Sequence, residues 1–117
     1  MQSEELLKLA QSSLEDMKVR DMRVLDVREL TAVTDYLLVA SGTSGRHVRS
    51  LADKLIQNAK AAGHPPLGVE GQDAGEWVLI DLNDVVVHVM QPRVREFYKL
   101  EDLWTVGADD LAESPGN

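Results

Sequence analysis

From Glu76 to Met90 the chain reads Glu-Trp-Val-Leu-Ile-Asp-Leu-Asn-Asp-Val-Val-Val-His-Val-Met, two β-rich runs around Asn83-Asp84. Asn and Asp tolerate the positive φ of a tight hairpin turn, which places the turn at that dipeptide. Closing it pairs Leu82 with Val85, Ile80 with Val87 and Val78 with Val89. Side chains alternate with a period of two along a strand, so this register makes one face wholly aliphatic. The other face pairs Asp81 with Val86, Leu79 with His88 and Trp77 with Met90. Its mixture of apolar, acidic and imidazole groups is the composition of a protein-docking surface. Helices on both sides of the sheet would instead make Trp77 and His88 core residues. A one-residue slip of register would expose Val78, Ile80 and Val85.

The remaining pattern supplies the frame for that hairpin. Ser3 predicts an N-cap, with Glu4 and Glu5 favourable in the first turn. Leu6, Leu7, Ala10, Leu14 and Met17 then mark an amphipathic helix to about Lys18. Met22 to Val27 and Tyr36 to Ser41 predict two strands joined by a polar connection. A second helix starts near Ser44, carries Val48, Leu51, Ala52, Leu55, Ala59 and Ala62, and closes at Gly63 as a left-handed cap. His64-Pro65-Pro66 prevents continuation, Leu67 to Glu70 suggests a short strand, and Gly71 to Gly75 a loop. Pro92 opens a last helix expected to run from Arg93 to about Trp104. The order α-β-β-α-β-β-β-α predicts a mixed sheet of about five strands in a two-layer α/β sandwich, with helices mainly on one face. Three helices hardly cover two faces of such a sheet, so the Trp77 face is expected to be open.

Length, charge and composition narrow the function. The 117 residues make one domain, taken as residues 1–107, with an acidic tail at 108–117 expected to be disordered. No run approaches the length of a membrane span, and the acidic start lacks a signal peptide's pattern. A cytoplasmic bacterial or organellar matrix location is therefore expected. With no cysteine there is no disulfide framework, thiolate metal site or Cys nucleophile. Residues 1–60 hold nine Lys/Arg and nine Asp/Glu, whereas residues 61–117 hold three against eleven. The acidic half repels phosphate backbones and attracts a basic protein, although plain solubility alone would also explain it.

No catalytic constellation emerges. Ala40 to His47 joins a strand to a helix with Gly and Ser, a geometry that admits anions, but neither phosphate-binding fingerprint is present. Turn and cap chemistry explains those residues as well. A nucleotidyl transferase would need clustered carboxylates for Mg²⁺; Asp26, Asp35, Asp81 and Asp84 lack the Asp-x-Asp spacing. His47, His64 and His88 lack metal-ligand spacing, His64 reads as a solvated loop residue, and His88 could hydrogen-bond across an interface. Basic residues such as Arg46, Arg49 and Lys60 are interleaved with acids, and aromatics are only 4% of the chain, so no stacking platform for nucleic acid is expected.

Several segments together resemble the ribosomal silencing factor family, also called RsfS or Iojap. They are Leu25-Asp26-Val27, Thr34-Asp35-Tyr36, Ala40 to Ser44 with Arg46-His47-Val48, Gly68-Val69-Glu70-Gly71, Trp77 to Asp81 and Asp84 to Met90. Arg95, Tyr98, Leu100-Glu101 and Leu103-Trp104 complete the match, which runs from about residue 5 to 104. The resemblance implies a nucleotidyltransferase-like fold without the catalytic carboxylates, and the residue spacings above lead to the expectation of no cofactor and no metal. It implies binding to the large ribosomal subunit through ribosomal protein L-fourteen, steric blocking of subunit joining in stationary phase or starvation, and links to large-subunit assembly. Joined to the two-faced hairpin, it makes Trp77, Leu79, Asp81, Val86, His88 and Met90 the expected docking face, with Trp77 as anchor. Leu100, Leu103 and Trp104 are the expected homodimer or secondary contact. Two rival readings stand beside it: a nucleotide-binding or transferase remnant at Ser41 to Arg46 with Asp26 or Asp35, and a homodimeric module that self-associates through the Trp77 face or through Leu100, Leu103 and Trp104.

Overall fold

The hairpin sits inside a five-stranded sheet of order β1-β2-β5-β4-β3. In the computed structural model, which describes residues 1–100 and 102, the elements are α1 (Ser3–Asp16), β1 (Arg20–Asp26), β2 (Tyr36–Ser41), α2 (Gly45–Ala61), β3 (Gly68–Glu70), β4 (Trp77–Asp81), β5 (Val85–Met90) and α3 (Pro92–Tyr98). Leu103, Trp104 and the tail lie outside the described residues. β2 and β5 run parallel, and the other neighbours are antiparallel. The expected mixed sheet of about five strands is the one observed.

The hairpin register is the one the alternation demands: Trp77 pairs with Met90, Val78 with Val89, Leu79 with His88, Ile80 with Val87 and Asp81 with Val86. Asn83 takes a φ of +75° in the turn, and the Leu82 amide donates to the Val85 carbonyl at 2.9 Å. All six side chains of the aliphatic face are fully buried. They pack with Leu6, Ala10 and Leu14 of α1 and Val48, Leu51, Ala52, Leu55 and Ala59 of α2, so both long helices cover one side of the sheet. β2 is buried along its whole length, which is why Tyr-Leu-Leu-Val-Ala-Ser reads as a continuous apolar run.

Element ends differ in instructive ways. Gln2, not Ser3, is the N-cap of α1: its amide donates to the Glu5 carboxylate at 3.0 Å, while the Ser3 hydroxyl donates to Asp35. α1 stops at Asp16 because Lys18 takes a φ of +61° to turn into β1. β1 starts at Arg20, before the expected Met22, and a bulge at Asp21 (φ +47°) shifts its register on β2. The Ser44 hydroxyl caps α2 as the sequence requires, accepting from the His47 amide at 3.1 Å, and Gly63 takes a φ of +80°. α3 ends at Tyr98, Leu100 and Asp102 are helical again, and the expected end near Trp104 lies outside the described residues. Lys99 is left-handed after Tyr98, and its amide closes α3 on the Arg95 carbonyl at 2.8 Å. Beyond that turn Leu100 packs against Val27, Leu37, Val39 and Met90.

Candidate functional site

The second face of the sheet carries its residues in rows fixed by the register. One row runs Arg23, Val39, His88, Leu79, Glu70 from β1 to β3; the next runs Leu25, Leu37, Val86, Asp81, Gly68. Ser41, Met90 and Trp77 form a third. Over the β1–β2 side, Val94 of α3 and Leu100 close a small cluster around Val27, Leu37, Val39 and Met90. Over β4 and β3 nothing comparable lies among the described residues, and Trp77, Leu79, Asp81 and Val86 are half-buried. The face is thus half-covered, and the open half is the part that holds Trp77.

The six expected docking residues divide accordingly. Trp77, Leu79, Asp81 and Val86 reach solvent, whereas Met90 is fully buried and His88 is 7% exposed. Met90 supports the face from beneath α3 and presents no area to a partner. His88 does not reach outward: its Nδ1 accepts from the Trp77 indole Nε1–H at 2.9 Å, so it fixes the indole's direction. The Nδ1 of His88 is thereby engaged within the chain.

Phe97 and Tyr98 belong beside these residues, which the face assignment missed. The Tyr98 ring lies 5.0 Å from Trp77, and Phe97 meets Tyr98 edge-on at 4.9 Å. They are 77% and 55% exposed, so three contiguous rings lead from the sheet to solvent. Consecutive helical residues point about 100° apart, so adjacent aromatics on α3 could not both enter one core. That was the available signal. Arg95 holds α3 in place by donating to the Asp21 carbonyl at 2.5 Å and the Ser41 hydroxyl at 2.9 Å.

Burial pushes the His88 imidazole down to about 4. Folded His88 therefore stays neutral while the unfolded chain protonates near 6.5, so the unfolded state binds more protons between those values. Stability attributable to this group is complete above pH 6.5 and falls as pH drops toward 4, by about 3 kcal/mol in all. Denaturant melts should show wild type losing about 2 kcal/mol more than His88→Gln between pH 7 and pH 5. Equal losses would remove the neutral, buried assignment of His88.

The rival anion site at the start of α2 is occupied by the chain's own groups. The Thr43 amide donates to His47 Nδ1 at 2.9 Å, and Ser44 accepts from the His47 amide. His47 Nε2 in turn donates to the Met17 carbonyl at 2.7 Å, which makes this imidazole a tie between α1 and α2. A Cβ at Gly42 would lie 2.9 Å from Val48, so this glycine serves helix packing. The Gly75 loop crosses the helix start, where a Cβ would meet the Gly45 carbonyl at 2.8 Å. The carboxylates are separately engaged: Asp26 with Arg28 at 2.6 Å, Asp35 with Ser3, and Asp81 with the Asn83 amide at 2.8 Å. Arg28 holds the Asp26 carboxyl below the usual range. Among the described residues no three His or acidic side chains gather as a metal site. His64, expected in solvent, donates to the Leu82 carbonyl at 3.0 Å and braces the hairpin turn.

The geometry defines a small α/β domain: one helix-covered face that stabilises it and, among the described residues, one half-open face led by an anchored indole. The sequence model described as "Ribosomal silencing factor during starvation" matches residues 1–115. A relative from Chromobacterium violaceum, named ribosomal silencing factor RsfS, is 46% identical over 104 residues, 89% of this chain and 85% of its own length. The mouse protein named mitochondrial assembly of ribosomal large subunit protein 1 is 36% identical over 107 residues, 87% of this chain and 47% of that protein. A crystal structure of a Chromobacterium violaceum protein superposes with a TM-score of 0.88 at 46% identity, covering 90% of this chain and 88% of that one. The chain belongs to the ribosomal silencing factor family. The family's role is regulatory and ribosome-associated. Among the described residues, no helix is long and apolar enough to cross a membrane.

Proposed function

We propose that this chain is a cytoplasmic translational repressor that docks on the large ribosomal subunit through ribosomal protein L-fourteen. By occupying the surface that faces the small subunit it blocks subunit joining, chiefly in stationary phase or nutrient limitation. The half-open face carries this reading: Trp77, locked by His88 and flanked by Leu79, Asp81, Val86 and Tyr98, has the form of a central anchor. The acidic balance of residues 61–117 suits a basic ribosomal protein. Steric obstruction requires no chemistry, and among the described residues the carboxylates are dispersed. We read the fold as a nucleotidyltransferase-like scaffold whose helix N-terminus has been given over to internal contacts.

Protein added to dissociated subunits should sediment with the large one and suppress reassociation in a density gradient. Full reassociation at saturating protein would overturn the reading.

The name of the mouse relative, mitochondrial assembly of ribosomal large subunit protein 1, favours a second role in large-subunit assembly. Homodimerisation through Leu100, Leu103 and Trp104 belongs to the same reading. Leu100 is half-buried against the chain's own second cluster, so less of it is left for a partner copy. A dilution series followed by light scattering, wild type against Leu103→Ser and Trp104→Ser, tests it: loss of a dimer in the variants supports that contact.

A further inference from the structure

The open face does not end at β4. β3 continues it to the sheet edge, and there Glu70 lies directly across from Leu79 while Gly68 lies across from Asp81. Cross-strand neighbours on one face are about 5 Å apart, and diagonal ones about 7–8 Å. Glu70 and Asp81 thus stand diagonally about the half-buried Leu79, within reach of one long side chain.

Three features define what would sit there. Between Lys60 and Arg93 the chain holds five carboxylates (Glu70, Asp73, Glu76, Asp81 and Asp84) and no Lys or Arg. Glu70 is exposed and forms no ion pair among the described residues, while Asp81 spends Oδ1 on the Asn83 amide and keeps Oδ2. At Gly68 an added Cβ would meet nothing within 4 Å, so the approach beside Asp81 is open. An apolar floor with two carboxylates at its rim fits an arginine or lysine. Its methylene stem would lie on Leu79, and its charged head would reach both acids.

Resting on the reading of this face as the ribosome-docking surface, we propose that Glu70 is a contact residue. With Leu79 and Asp81 it receives a cationic side chain of the basic protein partner, so the interface runs from the aromatic rings of α3 to the edge strand. The contact sets orientation, because the acidic edge and the Trp77 anchor lie on different strands and admit a basic partner one way round.

The test measures binding to purified large ribosomal subunits at low and at high salt for wild type, Glu70→Lys, Glu70→Gln and Trp77→Ala, each checked by thermal melt. Glu70 is exposed, so neither substitution at that position disturbs the core. Glu70→Lys should weaken binding about tenfold at low salt and Glu70→Gln by a smaller factor, with both losses shrinking at high salt. Trp77→Ala should bind poorly at both. If Glu70→Lys binds like wild type while Trp77→Ala fails, the edge lies outside the interface and this inference falls, although the docking reading stands. If Glu70→Lys binds more tightly, the edge faces RNA phosphate and the inference is again overturned. If Trp77→Ala also binds like wild type, the docking reading itself fails.

Discussion

Replacing Trp77 with alanine should weaken association with the large subunit about 30-fold, roughly 2 kcal/mol or more. Three separate features converge on this residue. Its indole is half-buried, so much of its area is available to a partner, and its Nε1–H is already committed to His88. A ring held in one orientation loses little entropy on binding, which raises the worth of each contact it makes. Tyr98 then extends the same apolar surface toward Phe97. The substitution also leaves His88 Nδ1 without its donor, so the variant's melting temperature must be followed alongside. Trp77→Phe keeps the ring and loses the hydrogen bond; it should retain most of the binding. A folded Trp77→Ala protein that co-sediments with large subunits as well as wild type would refute the anchor.

The second large effect concerns folding. Gly71 sits at a φ of +87°, and a Cβ there would lie 2.1 Å from the carbonyl oxygen of Trp77. Neither atom can yield cheaply, because the obstacle is backbone at the head of β4 rather than a flexible side-chain tip. Gly71→Ala combines a left-handed conformation with a hard clash, and should cost about 3 kcal/mol or more. For a domain of this size that corresponds to a fall in melting temperature of about 15 °C or more. Gly63→Ala is the control: it too has positive φ, but its Cβ would meet nothing within 4 Å, so its loss should be clearly smaller. Equal losses at the two positions would mean that backbone conformation, not the approach to Trp77, governs Gly71.

Period-two alternation made the hairpin readable because only one register buries six aliphatic side chains together, and the structure adopts it. α2 was readable for a similar reason, with a long stripe, a serine cap and a terminal glycine that agree. The end of α3 was not. Helical propensity continues past Tyr98, yet Lys99 turns left-handed, and Leu100 packs against Val27, Leu37, Val39 and Met90. Those partners come from three other segments, and no local pattern announces their meeting. The same gathering buried Met90, which alternation alone had placed on the docking face. The histidines tell the same story. Each was assigned from its neighbours in sequence, yet each bonds a group far along the chain or across a strand pair: Met17, Leu82 and Trp77.

Local chemistry along the chain therefore settled the element types, the hairpin register, the buried aliphatic face and the acidic character of the second half, together with the family resemblance. These depend on periodicity, turn residues and charge, which are properties of neighbours in sequence. Tertiary structure alone decided how far the opposite face stays open. Among the described residues, a short helix folds back over β1 and β2, reaches β4 only where Tyr98 meets Trp77, and leaves Leu79 and Asp81 half-buried while Met90 is fully covered. Exposure of a sheet face depends on what packs across it from distant segments, and alternation within a strand carries no information about that.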